Sequence, residues 1–444
     1  MYNNGHRLLV IADDITGAAE IAGIAHALGH PVRLLCATAP GVPPPTHASA
    51  APAAPAASAA STVCGDSVAT APAPVLTVIA TDTRSMTEAE ASAETRRVVA
   101  FGFPEGSILF KKTDSALRGH VVAELRALLQ ATGYPRAVYM PANPSKGRII
   151  RDGVYYIRGE KREERGVFTP LHETAFSYDP EFPAHTSVLR ERFPEAESLG
   201  IIMPDAESEA DLRSIVDRYA DGHTLFAGAA DLFRCLIANT PASVHTTPPS
   251  RTGGEEGGFR GGEGGMFPLI LCGSTQSRPL DLGIPIIPMP REVYDGQEDA
   301  AYWFARLSAS KHANHPSRTG GEGGGFPEVE GGGFLLTIPH THRTGHDVAV
   351  HLRTVMADMA RRLVTATFPH PTDGGCRSLH LIIEGGATAW ATLQALGWTD
   401  FDIVRQVAPG VVQMRSATSG ALVTLKPGSY PWGGLFEPSA IGTQ

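Results

Sequence analysis

Between Ile108 and Gly119 the sequence reads ILFKKTDSALRG, and its polar part gathers Lys111, Lys112, Thr113, Asp114, Ser115 and Arg118. Ammonium and guanidinium groups bind anions, a carboxylate accepts a proton, and hydroxyls orient a polar ligand. Two other stretches carry the same kind of equipment: Asp13-Asp14-Ile15-Thr16-Gly17 and Thr81-Asp82-Thr83-Arg84-Ser85. Adjacent carboxylates such as Asp13 and Asp14 repel unless a cation, a metal or hydrogen bonds compensate. Asp14 is equally placed to cap a helix, and the lysines could be solvated side chains at a helix start. Recurrence favours chemistry, because each stretch follows a short apolar run.

Those runs, Arg7 to Ala12, Val75 to Ala80 and Ile108 to Phe110, read as buried strands. Helical spacing follows each. Ala18, Ile21, Ala22, Ala25 and Leu28 share one face before Gly29. Thr87 and Glu90 have capping-box spacing for a helix to about Ala100, and Val121, Val122, Leu125, Leu128 and Leu129 share a third face. In an open α/β sheet, ligands bind just beyond the carboxyl ends of such strands. A fourth strand, Arg136 to Met140, leads into Pro141 to Arg148 and a hairpin at Asp152-Gly153; a fifth runs from Ile201 to Met203.

Further along, strands at Leu269 to Cys272, His380 to Glu384 and Ala421 to Lys426 enter glycine turns. These are Gly273-Ser274, Gly385-Gly386-Ala387-Thr388 and Pro427-Gly428-Ser429-Tyr430. A glycine between strand and helix lets backbone N–H groups point at a phosphate, where the helix dipole helps. Neither a GxxxxGK[ST] loop nor a convincing GxGxxG after a strand is present. That argues against a dehydrogenase on a dinucleotide fold.

A chain of 444 residues exceeds what one core usually supports. The expected architecture is α/β with two domains, each a mostly parallel sheet flanked by helices, and the active site in the cleft between them. Residues 1–245 form the first, with an Ala/Pro-rich insert at 39–74. A Gly-rich linker spans 246–267, and residues 268–444 form the second, with a Gly-rich insert at 316–333. The near-repeat of Ser250–Glu255 in Ser317–Glu322 marks low-complexity expansion rather than a folded unit.

A net charge of −9 argues against nucleic acid as the main partner. Five scattered cysteines, without CxxC or Cys/His spacing, suggest a reducing compartment and no structural zinc. No apolar run reaches the length that spans a bilayer, so a cytoplasmic protein is expected. His340, His342 and His346 lie beside Gly and Pro without a helical pair framed for zinc.

The chain resembles the four-carbon acid sugar kinases through ADDITGA (12–18), DTRS (82–85), KKTDSALRG (111–119), PANPSKGR (141–148), PDAESEADL (204–212), CGST (272–275), EGGAT (384–388), APGV (408–411) and LKPGSY (425–430). This resemblance implies a sugar-acid-binding first domain and an ATP-binding second. The implied reaction transfers a γ-phosphoryl group to a hydroxyl of erythronate, threonate or a 3-oxo-tetronate, with Mg²⁺ bridging the ATP phosphates. It places the acid against Asp13, Asp14, Arg84, Lys112, Thr113, Asp114 and Ser115, and the nucleotide against Ser274, Gly385, Gly386, Ala387, Thr388 and Gly428. Asp14 or Asp114 is the candidate base, with Asp14 preferred. The metal ligands and the oligomeric state stay open, a homodimer among the options. A ligand-binding protein that keeps the cleft without turnover is the competing expectation.

Overall fold

Aliphatic runs of five or six residues are too short to bury themselves as helices, and when covered on both faces they pair as parallel strands. The computed structural model describes residues 8–37, 76–100, 108–159, 166–179, 181–238, 266–273, 282–312, 333–340, 345–368, 379–428, 430, 432 and 435–436. In it the first half runs β1 (Leu8–Ala12), α1 (Ile15–Ala27), β2 (Val32–Cys36), β3 (Leu76–Ala80), α2 (Glu88–Ala100), β4 (Ile108–Lys112), α3 (Val121–Thr132) and β5 (Arg136–Met140). It continues with β6 (Arg148–Arg151), β7 (Val154–Arg158), β8 (Phe168–Pro170), α4 (Leu189–Arg192), β9 (Ile201–Ile202), α5 (Glu209–Tyr219), β10 (Thr224–Gly228) and α6 (Ala230–Ala238).

The second half holds β11 (Phe267–Cys272), β12 (Ile286–Pro288), α7 (Arg291–Tyr294), α8 (Ala300–His312), β13 (Phe334–Thr337) and α9 (His346–Thr367). After these come β14 (Leu379–Glu384), α10 (Gly386–Leu396), β15 (Asp400–Ala408), β16 (Val411–Ser416) and β17 (Leu422–Lys426). Phe267, the last residue of the expected linker, therefore opens a strand. The insert at 39–74 lies outside the described residues, as do all but the last residue of the insert at 316–333. His346, read as loop, starts α9; His340 bonds the Met289 carbonyl oxygen at 2.8 Å, and His342 lies outside the described residues.

One 14-stranded sheet carries both halves, in the order β12-β13-β11-β14-β17-β16-β15-β2-β3-β1-β4-β10-β5-β9. Only three of its pairings are antiparallel, all at the middle: β17 with β16, β16 with β15, and β15 with β2. The two sheets expected from the sequence are thus continuous. At the join Asp400–Asp402 pair with Leu35–Arg33, and Arg33 Nε donates to Asp400 Oδ1 at 2.7 Å. A separate antiparallel sheet is formed by β6, β7 and β8.

Six strand steps separate β1 from β14, about 29 Å across a flat sheet. Yet a Cβ added at Gly386, just past β14, would lie 3.1 Å from Asp14 Oδ2, just past β1. The sheet must curl, and α1 fills the curl. Its sequence, ITGAAEIAGIAHA, is buried without interruption from Ile15 to Ala25, as a helix packed on all sides requires. Small residues permit that packing: a Cβ at Gly23 would meet Val412 Cγ2 at 2.8 Å. Among the described residues no helix is long and apolar enough to cross a membrane.

Candidate active site

The three polar loops of the first half meet because β3, β1 and β4 are neighbours running the same way. Backbone bonds tie the loops together: Thr81 N–H to Ala12 O at 3.0 Å, and Arg84 N–H to Asp13 O at 3.3 Å. Asp82 stands in the left-handed region at φ 54° and starts the tight turn that carries Arg84. The Arg84 guanidinium donates to Asp13 Oδ2 through Nε (3.0 Å) and Nη2 (2.8 Å), and to Asp14 Oδ1 at 3.2 Å. Its Nη1 lies 3.7 Å from Asp114 Oδ1. Burial alone would lower the pKa of Arg84, but the three carboxylates hold it well above its ordinary value. One fixed cation thereby stops three aspartates from repelling one another apart.

The aspartates are not equivalent. Asp14 is the N-cap of α1: Oδ1 accepts from Gly17 N at 2.9 Å, and Oδ2 accepts from the Thr16 hydroxyl. Burial pushes its pKa up, but Arg84, Lys112 and these hydrogen bonds hold it below the ordinary carboxylate range. Asp114 accepts a fork from Arg118 (3.0 and 2.9 Å) and the Ala116 N–H at 2.8 Å. Against burial, Arg118 and Arg84 keep it well below that range. Asp13 differs. Burial raises its pKa, and the pull of Arg84 does not cancel this. Its Oδ1 is buried with no hydrogen-bond partner among the described residues.

Beside the aspartates, Lys112 donates to the Thr113 carbonyl at 2.9 Å and lies 3.8 Å from Glu20 Oε2. Thr113 N–H bonds the Gly228 carbonyl at 3.0 Å, fixing the loop to β10. The Ser115 hydroxyl accepts from Arg148, and its carbonyl accepts from the buried Tyr155 hydroxyl. Glu20, Lys146, Arg148 and Tyr430 were absent from the sequence-derived site. Glu20 could have been found as the residue three past Gly17, on the same helical face; Tyr430 lay in the LKPGSY stretch without being given a role.

On the second half's side, Gly385 caps α10 at φ 97°, a conformation that favours glycine, and its N–H bonds the Lys426 carbonyl at 2.9 Å. Ala387 is exposed at the first turn, and Thr388 is buried, where a Cβ on Gly273 would come within 2.1 Å of its hydroxyl. Gly428 is exposed and its carbonyl accepts from Lys426 Nζ at 3.2 Å. Lys426 also pairs at 2.5 Å with Glu384, both side chains 3% exposed. Ser274 lies outside the described residues. Asp13, Asp14, Arg84 and Asp114 converge directly, Lys112 and Ser115 adjoin them, and Gly386 abuts Asp14. Among the described residues no group of three or more His, Cys, Asp or Glu is arranged to hold a metal ion.

A family model described as a sugar-binding N-terminal domain matches residues 8–200. The chain is 26% identical over 427 residues to a D-threonate kinase of Cupriavidus necator, covering 91% of this chain and 89% of that protein. It is 31% identical over 351 residues to a D-threonate kinase of Bordetella bronchiseptica, covering 75% and 76%. A Haemophilus influenzae structure of the DUF1537 family superposes with TM-score 0.56 at 19% identity, covering 97% of this chain and 98% of that one. A Salmonella typhimurium LT2 structure superposes with TM-score 0.62 at 17% identity, covering 97% of each. At such identities these two likenesses speak for the fold.

Proposed function

The chain belongs to the four-carbon acid sugar kinase family, and from that premise we propose that it moves the γ-phosphoryl group of ATP to a hydroxyl of a four-carbon sugar acid. The threonate, erythronate and 3-oxo-tetronate acids are the substrate class. In this reading residues 1–245 bind the acid and residues 268–444 bind the nucleotide. The supporting observation is the contact between Asp14 and Gly386, which sets the acidic loops of one half against the glycine turn of the other. A kinase has to bring its two substrates together at such a place.

The residues at the glycine turn suit a nucleotide. Gly385 and Gly386 leave no side chain over the first turn of α10, where N–H groups without partners inside the helix and the helix dipole favour phosphate. Exposed Gly428 closes the same corner. Bound Mg·ATP would supply the phosphoryl group and a divalent charge on its phosphates.

Lys112, Thr113 and Ser115 face the acid in this reading. Arg84, already shared by three carboxylates, orders the site. We assign proton acceptance to Asp13 instead of Asp14 or Asp114. A base needs an oxygen with lone pairs to spare and a pKa not far below the working pH. Both Asp14 oxygens are engaged in capping, and Asp114 is locked by Arg118. Asp13 alone keeps an unpartnered oxygen, while Arg84 holds its other one in place.

The decisive assay is ADP release with Mg-ATP against both threonates, both erythronates and the 3-oxo-tetronates, on wild type and on Asp13→Asn, Asp14→Asn and Asp114→Asn. Turnover of one acid by wild type, with the largest fall in kcat at Asp13→Asn, is the expected outcome. Silence of wild type on every acid would refute the kinase reading. An Asp13→Asn variant with wild-type kcat would refute the base assignment alone.

A further inference from the structure

Glu20 is a buried carboxylate on α1 that two lysines share: Lys112 at 3.8 Å and Lys146, whose Nζ bonds Oε1. Lys146 comes from the Pro144–Lys146 turn after β5, in the first half. Its ammonium also bonds the Tyr430 hydroxyl and lies 3.9 Å from the centroid of that ring. Tyr430 belongs to the second half, two residues past Gly428, and its ring packs flush on Gly410, where a Cβ would come within 2.2 Å of it. The ammonium of Lys146 therefore sits on the line where the acid-binding loops meet the Gly428 loop. Burial lowers its pKa, Glu20 opposes this, and the nearby Lys112 and Arg148 add to the lowering. Cations gathered at one partly buried spot repel one another, and a visiting anion relieves that.

Resting on the kinase reading above, we propose that Lys146 is a catalytic residue that bonds the non-bridging oxygens of the phosphoryl group in transit, with Glu20 and Tyr430 as its positioning residues. In the step, the bond from the γ-phosphorus to the β–γ bridging oxygen breaks and ADP leaves with that electron pair. The acid's hydroxyl oxygen forms the new P–O bond and its proton passes to Asp13. Lys146 stays protonated throughout and balances charge that builds on the equatorial oxygens.

The test is steady-state kinetics of the full-length protein with Mg-ATP and the acid that wild type turns over, together with calorimetric binding of ATP and of the acid. For Lys146→Met, kcat should fall about 100- to 1,000-fold, the range for losing one charge-stabilising donor. The KM for the acid and both binding constants should stay within about threefold, because the contact belongs to the transition state. Lys146→Arg should recover part of the loss, and Tyr430→Phe should lose less than about tenfold. Unchanged kcat in Lys146→Met would overturn the inference, as would a loss confined to KM or a Lys146→Arg variant no better than Met. A wild type silent on all acids overturns this inference and the kinase reading together; an active wild type with an unaffected Lys146→Met overturns this one alone.

Discussion

The pair formed by Lys111 and Glu124 beneath the candidate active site offers a stringent test of how the fold is held. Lys111 points from β4 into the interior with its side chain 0% exposed, and Glu124 on α3 is 2% exposed. Glu124 Oε2 also accepts from Thr83 at 2.8 Å and from Thr95 at 3.2 Å, so one carboxylate oxygen ties β4, α2, α3 and the turn carrying Arg84. Glu124→Ala leaves an ammonium in the core with no counter-charge, which costs about 3–5 kcal/mol, and frees two hydroxyls in the same move. Lys111→Met/Glu124→Leu removes both charges and fills similar volume, so it should fall within about 2 kcal/mol of wild type. Urea unfolding of wild type, Lys111→Met, Glu124→Leu and the double variant, followed by fluorescence and by circular dichroism with coincident transitions, gives the four free energies of the cycle. The expected coupling is at least about 2 kcal/mol. A Glu124→Ala variant within about 1 kcal/mol of wild type, or a double variant as unstable as the sum of its parts, would show that the pair is not dry and that the reasoning fails.

Gly386→Val should cut kcat about 10- to 100-fold without changing the far-ultraviolet spectrum, since its Cβ would stand 3.1 Å from Asp14 Oδ2 and its methyls would push that loop; wild-type turnover in that variant would show that the contact has no role. Burial raises the Asp82 carboxyl to about 6, from 3.8. Its protonated form thus favours folding: the contribution is full below pH 3.8 and is lost as pH rises through 6, up to about 3 kcal/mol in all. Asp82→Asn, which tolerates the same φ of 54°, should be more stable than wild type above pH 6 and match it near pH 4, as urea midpoints at the two values will tell. His380 has the opposite sign. Burial lowers it to about 4, and its ring bonds the Thr424 hydroxyl at 2.8 Å. The stability it gives is present above pH 6.5 and lost as pH falls through 4, so His380→Gln should flatten the acid side of the stability profile; an unchanged slope would mean that other groups set it.

The first half's share of the candidate site was legible as a cluster because its signal is local. Strand-end loops such as Asp13–Gly17 and Lys111–Ser115 announce themselves by apolar runs that stop at charge, and neighbouring parallel strands then bring them together. The capping box of Thr87 and Glu90 was legible for the same reason, with both reciprocal bonds present. What escaped depends on residues far apart in the chain. Nothing near Tyr430 announces a bond to Lys146, 284 residues away. Val32–Cys36 and Asp400–Ala408 were not read as strands at all, and only their pairing shows that each closes the other's edge. The ranking of the three aspartates was equally out of reach, because the spare oxygen of Asp13 is defined by where Arg84 and the cap of α1 spend their hydrogen bonds.

The join between β2 and β15 also sets a timetable for synthesis. Arg33 and Asp400 are 367 residues apart, and a ribosome adding about 5–20 residues per second needs on the order of 20–70 s to cover that interval. Throughout it, the Val-Arg-Leu-Leu-Cys strand of the nascent first half presents an open, largely apolar edge to everything else in the cell. The protein is therefore most vulnerable to aggregation while it is being made, and translation rate and chaperone supply should govern its yield more than the stability of the finished sheet.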